Sequence, residues 1–305
     1  MKSRTVPIIF LVAFAAVFCI IGYREFHCSE GASAAANNNN VMMEQNFVPA
    51  KSRRLVYSKG KLWEYNWNTS EAFVAAGKDP DCWGISADVR KTSDGYYVCF
   101  HDAAVDAHTD GTGAIESMTW EQIQQINVDT ATWNGNGWTA QPNGRTCKIP
   151  LVTDFLDICR QYGKIAILET KAAGSNDIAT MPGEDIDAIM EYVYDRGMTG
   201  SFSWITTNAG AAYLRESHPD VFKIILFESP VPESYIDTWA TDPNLIFAGH
   251  NSVIEPATVS KIHKANSFIA GYAPRSSPQS EFDEMSEKNL DLIFTFREPP
   301  KGFNE

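Results

Sequence analysis

What most constrains this chain is an alternation that starts at Leu55, in which short β-rich runs are separated by stretches with helical spacing. Parallel strands need a crossover between them, usually a helix, so such a pattern gives a parallel sheet covered by helices. The β-rich runs fall at residues 55–57, 83–89, 165–169, 202–206, 222–227, 245–248, 268–272 and 292–295. Helical patterns fall at 69–76, 119–126, 153–161, 184–194 and 257–265, with Thr69 placed as an N-cap. Eight strand–helix units close an α/β barrel, a (β/α)8 TIM barrel of about 250 residues, with its working residues at the C-terminal ends of the strands. Residues 52–305 are therefore read as one barrel domain.

One run breaks the alternation. Residues 97–101 follow 83–89 too closely for a parallel crossover, and Ser93-Asp94-Gly95-Tyr96 lies between them. Asp-Gly is a preferred two-residue hairpin loop, so an antiparallel β-hairpin is expected after the second strand. With Asp94 and Gly95 as the loop, Ser93 faces Tyr96, and counting back puts Asp88 opposite His101 at the barrel mouth.

Lys2 and Arg4 precede an uninterrupted apolar run from Val6 to Tyr23. A basic start before an apolar run of about eighteen residues reads as a signal peptide or membrane anchor, assigned to residues 1–28. The positive-inside rule then places the remainder outside the cytoplasm, either membrane-anchored or secreted. Residues 29–51, with small residues at 32–36 and asparagines at 37–40, have too little apolar content to fold and are read as a disordered linker. A formal net charge of −13 excludes a nucleic-acid partner, which needs a basic face. It also means that an anionic ligand needs a local positive site. None of the six cysteines has CxxC spacing, which argues against zinc; in an exported domain they are either unpaired or partly buried thiols or include a disulfide.

The polar residues at the strand ends follow an ordered series. It runs Ser58-Lys59-Gly60, Asn66-Trp67-Asn68-Thr69, Ser86-Ala87-Asp88-Val89, Thr92-Ser93-Asp94-Gly95, His101-Asp102, Thr109-Asp110-Gly111-Thr112-Gly113 and Glu169-Thr170-Lys171. In order and spacing this resembles the glycerophosphodiester phosphodiesterase family. The family carries His-Arg-Gly, Pro-Glu-Asn-Thr, Glu-x-Asp-Val, Thr-x-Asp-Gly, His-Asp and Glu-x-Lys in that sequence. The resemblance covers residues 55–171, and the strand pattern continues to Arg297.

The resemblance implies hydrolysis of a glycerol phosphodiester to glycerol 3-phosphate and an alcohol. Two histidines would serve as acid and base, and a divalent cation would polarise the phosphate. Carried over residue by residue, His101 matches the second histidine, and Asp88 and Glu169 match two of three metal carboxylates. Lys171 matches the lysine near the phosphate, and Lys59 replaces its arginine. Ser58 stands at the first histidine, Ser86 at the third metal carboxylate, and Trp67 at the glutamate of Pro-Glu-Asn-Thr. The implied cofactor is Mg²⁺ or Ca²⁺, weakly bound because one carboxylate is missing.

Three readings follow. One is a phosphodiesterase-like protein with impaired catalysis. The second is a non-catalytic extracytoplasmic binder of a phosphodiester, lipid headgroup or glycan. The third is a phosphodiesterase with a rebuilt site, in which Glu64 or His108 supplies an acid/base. Trp63, Tyr65 and Trp67, with Trp133 and Trp138, add aromatics to loops at the mouth. Such rings either anchor loops or receive a sugar face or a quaternary ammonium.

Overall fold

The computed structural model describes residues 54–128, 131–133, 138–140, 147–272, 280–301 and 303. The assigned export segment 1–28 and linker 29–51 lie outside these residues. Among the described residues no helix is long and apolar enough to cross a membrane.

Eight parallel strands close on themselves. These are β1 (Arg54–Ser58), β2 (Cys82–Lys91), β6 (Ile165–Thr170), β7 (Phe202–Thr206), β8 (Lys223–Phe227), β9 (Leu245–His250), β10 (Phe268–Tyr272) and β11 (Leu292–Thr295). Each pairs with the next in that order, and β1 pairs with both β11 and β2, which completes the barrel. Strands such as Lys223-Ile-Ile-Leu-Phe227 are apolar on consecutive positions because one face meets the barrel interior and the other meets helices. Val56, Ile167, Ile225, Ile246, Tyr272 and Phe294 pack inside the barrel. Leu55, Phe73, Phe155, Leu168, Trp204 and Phe247 pack between barrel and helices.

All five expected helices are present, at Ser70–Lys78, Trp120–Gln125, Val152–Tyr162, Gly183–Asp195 and Pro256–Lys264. Thr69 caps the first, accepting from the Ala72 N–H at 3.3 Å. Three further helices, Asn208–Ser217, Glu233–Trp239 and Ser280–Glu287, were not read from the sequence.

Strand β3 (Tyr97–Cys99) returns antiparallel on β2, as the hairpin reading requires, but its register differs by one residue. Arg90 pairs with Val98 and Lys91 with Tyr97. Thr92, not Ser93, faces Tyr96: the Thr92 N–H donates to the Tyr96 carbonyl at 2.8 Å. The loop thus has three residues, Ser93, Asp94 and Gly95, and Gly95 takes a left-handed φ of 91° that a side chain disfavours. Phe100, not His101, consequently lies opposite Asp88, its N–H donating to the Asp88 carbonyl at 3.1 Å. Strands β4 (Ala131–Trp133) and β5 (Trp138–Ala140) form a separate antiparallel pair. Among the described residues Cys82, Cys99, Cys147 and Cys159 are all buried.

Candidate active site

Strand alternation fixes which residues face the barrel axis. Val56 packs inside the barrel and Tyr57 outside it, so Ser58 faces inward. On β6 Ile165 and Ile167 face inward, and Glu169 follows on the same side, level with Asp88 of β2. At Ser58-Lys59-Gly60 the chain coils left-handed, with φ of 63° at Lys59 and 89° at Gly60. A Cβ at Gly60 would lie 2.7 Å from Ala72, so the turn can press against the first helix only because position 60 is glycine. The coil carries Lys59 over the mouth. Its Nζ lies 3.1 Å from Asp88 Oδ2 and 4.6 Å from the centre of the Trp67 ring.

Asp88 is almost fully buried and held on three sides. Asn68 grips it twice, its amide donating to Asp88 Oδ2 at 2.7 Å and its carbonyl oxygen accepting from the Asp88 N–H at 3.1 Å. Lys171 Nζ lies 3.3 Å from Asp88 Oδ1 and is also ion-paired with Glu169. Burial alone would raise the Asp88 pKa. The charges of Lys59 and Lys171, together with His101 and the Asn68 amide, outweigh it and hold the carboxyl well below its ordinary range. Burial raises Glu169 above its ordinary value despite Lys171. Burial would lower Lys171, but Asp88 and Glu169 raise it, so it stays an ammonium. The centre is therefore two carboxyl groups laced together by two lysines.

His101 lies just beyond β3. Its ring stacks on Trp67 at 5.1 Å, and its Nδ1 lies 2.6 Å from Asp102 Oδ1. Asp102 stays ionised, although burial opposes this, chiefly through that hydrogen bond. Nδ1–H is then the donor, which leaves Nε2 as the free lone pair. Burial and then Lys59 push the His101 pKa down to about 4, although Asp88 and Asp102 pull the other way. Near neutral pH this imidazole is uncharged. His108 meets the edge of Trp67 at 5.0 Å and approaches Asp102 Oδ2 at 3.5 Å.

The structure thus gathers Ser58, Lys59, Asp88, His101, Glu169 and Lys171 at one mouth, as the sequence implies. Asp102 of the His101-Asp102 motif and His108 flank His101 and Trp67. One further residue was not singled out in the sequence. Arg90 is buried on β2, two positions beyond Asp88. Its guanidinium donates to the His101 carbonyl at 2.6 Å, to those of Ser175 and Ala172 at 2.6 and 3.2 Å, and to Glu116 at 2.7 Å. It fastens the loop bearing His101 to the loop that follows Lys171. The available signal was its alternation with Asp88 at the end of an inward-facing strand.

The donor set does not fit a firmly held divalent cation. It offers two carboxyls and the Ser86 hydroxyl, which already accepts from the Lys59 N–H at 3.3 Å. The Lys171 ammonium occupies the bridging position between Asp88 and Glu169. Among the described residues no group of three or more His, Cys, Asp or Glu is placed to hold a metal. A cavity of about 570 Å³ lined by Lys61, Glu64, Tyr65, Glu71, Lys78 and Asp79 lies against the first helix and has no part in this cluster.

The chain resembles known proteins in sequence and in fold. A glycerophosphodiester phosphodiesterase 1 of Mus musculus is 27% identical over 135 residues, which are 44% of this chain and 38% of that protein. A glycerophosphodiester phosphodiesterase of Caldanaerobacter subterraneus is 29% identical over 143 residues, 45% of this chain and 52% of that protein. The chain thus matches well under two thirds of either relative's length. A phosphodiesterase of Oleispira antarctica, solved with its product sn-glycerol 3-phosphate, superposes with a TM-score of 0.66 at 20% identity, covering 80% of this chain and 93% of that one. A glycerophosphoryl diester phosphodiesterase of Parabacteroides distasonis gives 0.63 at 17% identity, covering 86% and 88%. These superpositions show the shared barrel. Enzymes of this kind generally depend on a divalent metal. The glycerophosphoryl diester phosphodiesterase family model matches residues 59–295, and the chain belongs to that family.

Proposed function

We propose that the barrel mouth binds a glycerol phosphodiester, or the phosphate monoester derived from it, and hydrolyses it poorly or not at all. The observation that carries this reading is the state of the two acid/base positions. Ser58 is buried with its Oγ unpartnered among the described residues, and His101 is an uncharged imidazole near neutral pH. Hydrolysis needs one group to take a proton from the nucleophile and another to give one to the leaving alkoxide. A serine hydroxyl does not titrate in that range. A neutral His101 offers Nε2 only as a weak base and has no proton there to give.

Binding is better supported than turnover. Lys59 and Lys171 are cations converging on one buried spot in a chain that is otherwise strongly acidic. A phosphate oxygen can replace a carboxylate as their partner. Trp67 roofs the Lys59 side of the mouth. The product-bound Oleispira relative makes glycerol 3-phosphate a sensible first ligand. Isothermal calorimetry with sn-glycerol 3-phosphate tests this directly. Binding that is lost in Lys59→Met supports the reading, and no heat at millimolar ligand removes it.

We also infer that the domain works outside the cytoplasm, reached through the basic start and apolar run of residues 1–28. Cell fractionation tests this. Full-length protein recovered soluble from the cytosol would contradict it.

A further inference from the structure

We propose that Tyr272 selects the glycerol part of the ligand, its phenolic hydroxyl hydrogen-bonding an oxygen of a bound glycerol phosphate ester. This rests on the reading that the mouth takes such an ester. Tyr272 ends β10 and is only 5% exposed, yet its Oη has no hydrogen-bond partner among the described residues. The ring cannot swing out to hydrate that hydroxyl. It is stacked on Phe294 at 4.1 Å with planes 4° apart, and Phe227 meets it edge-on at 5.1 Å. A buried hydroxyl without a partner costs stability, and phenylalanine would fill the same space without that cost. The hydroxyl therefore calls for a reason that lies outside the apo packing.

Its surroundings supply one. The mouth is divided into two arcs. On β1, β2 and β6 it is charged, with Lys59 following β1, Asp88, Glu169, and Lys171 following β6. On β8, β10 and β11 it is aromatic, with Phe227, Tyr272 and Phe294 in continuous contact. Tyr272 belongs to the aromatic arc, and the charged arc lies near enough to act on it. After burial, the charges of Glu169 and Asp88 are what oppose its ionisation. One other buried polar atom at the mouth, Ser58 Oγ, also lacks a hydrogen bond among the described residues. A phosphate on the lysines would leave the three-carbon polyol against the aromatic arc, where Oη is a buried polar atom without a partner among the described residues.

The test compares the full-length protein with Tyr272→Phe, which removes one oxygen and keeps the ring. Both are titrated calorimetrically with sn-glycerol 3-phosphate and with inorganic phosphate, and the Tm of each is read without ligand. The expected result is about five- to tenfold weaker binding of glycerol 3-phosphate by Tyr272→Phe, the size of one neutral hydrogen bond. Phosphate affinity should be unchanged, and the apo Tm should rise by about 2–4 °C. Equal affinity for glycerol 3-phosphate in the two proteins overturns the proposal. So does a lower Tm with both ligands weakened alike, which would mark a structural role. If the unaltered protein binds neither ligand, the proposed function fails first and this inference falls with it.

Discussion

Replacing Lys171 with methionine keeps most of the side-chain volume and removes the charge that bridges Asp88 and Glu169. The three side chains are 4%, 1% and 11% exposed, so water does not compensate the loss. Breaking a buried ion pair from one side costs about 3–5 kcal/mol. Two features reduce this. Lys59 remains 3.1 Å from Asp88 Oδ2, and Asn68 still donates to it. Glu169, already raised by burial, can take up a proton once Lys171 is gone. The expected loss is about 2–3 kcal/mol, which lowers Tm by roughly 5–10 °C in a domain of this size. In the variant, Glu169 binds a proton more tightly folded than unfolded. Its folded form is then favoured below the ordinary glutamate range and loses stability as pH rises through the raised value. The deficit against the unaltered protein should therefore shrink on acidification from pH 8 to pH 5. Adding Glu169→Gln should recover at least half of it, because an amide leaves no stranded charge. Urea denaturation across that pH range measures all three effects. A deficit that ignores pH and is untouched by Glu169→Gln would refute the picture of a lysine-bridged carboxyl pair.

The His101 environment predicts a second pH effect. Its folded pKa of about 4 lies below its ordinary 6.5, so the unfolded chain takes the proton first and stability falls as pH drops from 6.5 towards 4, by on the order of 3 kcal/mol. His101→Gln should flatten that limb of the stability–pH curve, and an unchanged limb would contradict the burial argument. For the metal, calorimetry should detect little or no Mg²⁺ binding by the unaltered protein and clear binding by Ser86→Glu, which restores a third carboxylate beside Asp88 and Glu169. Tight Mg²⁺ binding without the substitution would show that Lys171 yields its place to a cation.

All eight barrel strands were legible because parallel barrel strands are buried on both faces and read as compact apolar runs. Helices with strong one-sided patterns, such as Val152–Tyr162, were legible for a similar reason. The helix Asn208–Ser217 was not, since Asn-Ala-Gly-Ala-Ala carries little contrast between faces. The hairpin was readable but its register was not, because Asp-Gly suits both two- and three-residue loops and only the left-handed Gly95 with Thr92–Tyr96 pairing distinguishes them. At the site, Ser58, Lys59, Asp88, His101, Glu169 and Lys171 were readable from motif order. Arg90 and Tyr272 were not, because their roles come from strand alternation and from neighbours distant in sequence. The Lys171 bridge depends on side-chain placement that no spacing rule contains.

The most direct test is release of glycerol 3-phosphate from glycerophosphocholine, with Mg²⁺ and then Ca²⁺, by the unaltered protein and by Ser58→His/Ser86→Glu. Loss of one acid/base group typically costs about 10²–10⁴ in rate. Turnover near background is expected for the unaltered protein and measurable turnover for the double variant, since by motif resemblance Asp88, His101, Glu169 and Lys171 supply the remaining family residues. Robust turnover by the unaltered protein, abolished by His101→Ala, would contradict this expectation.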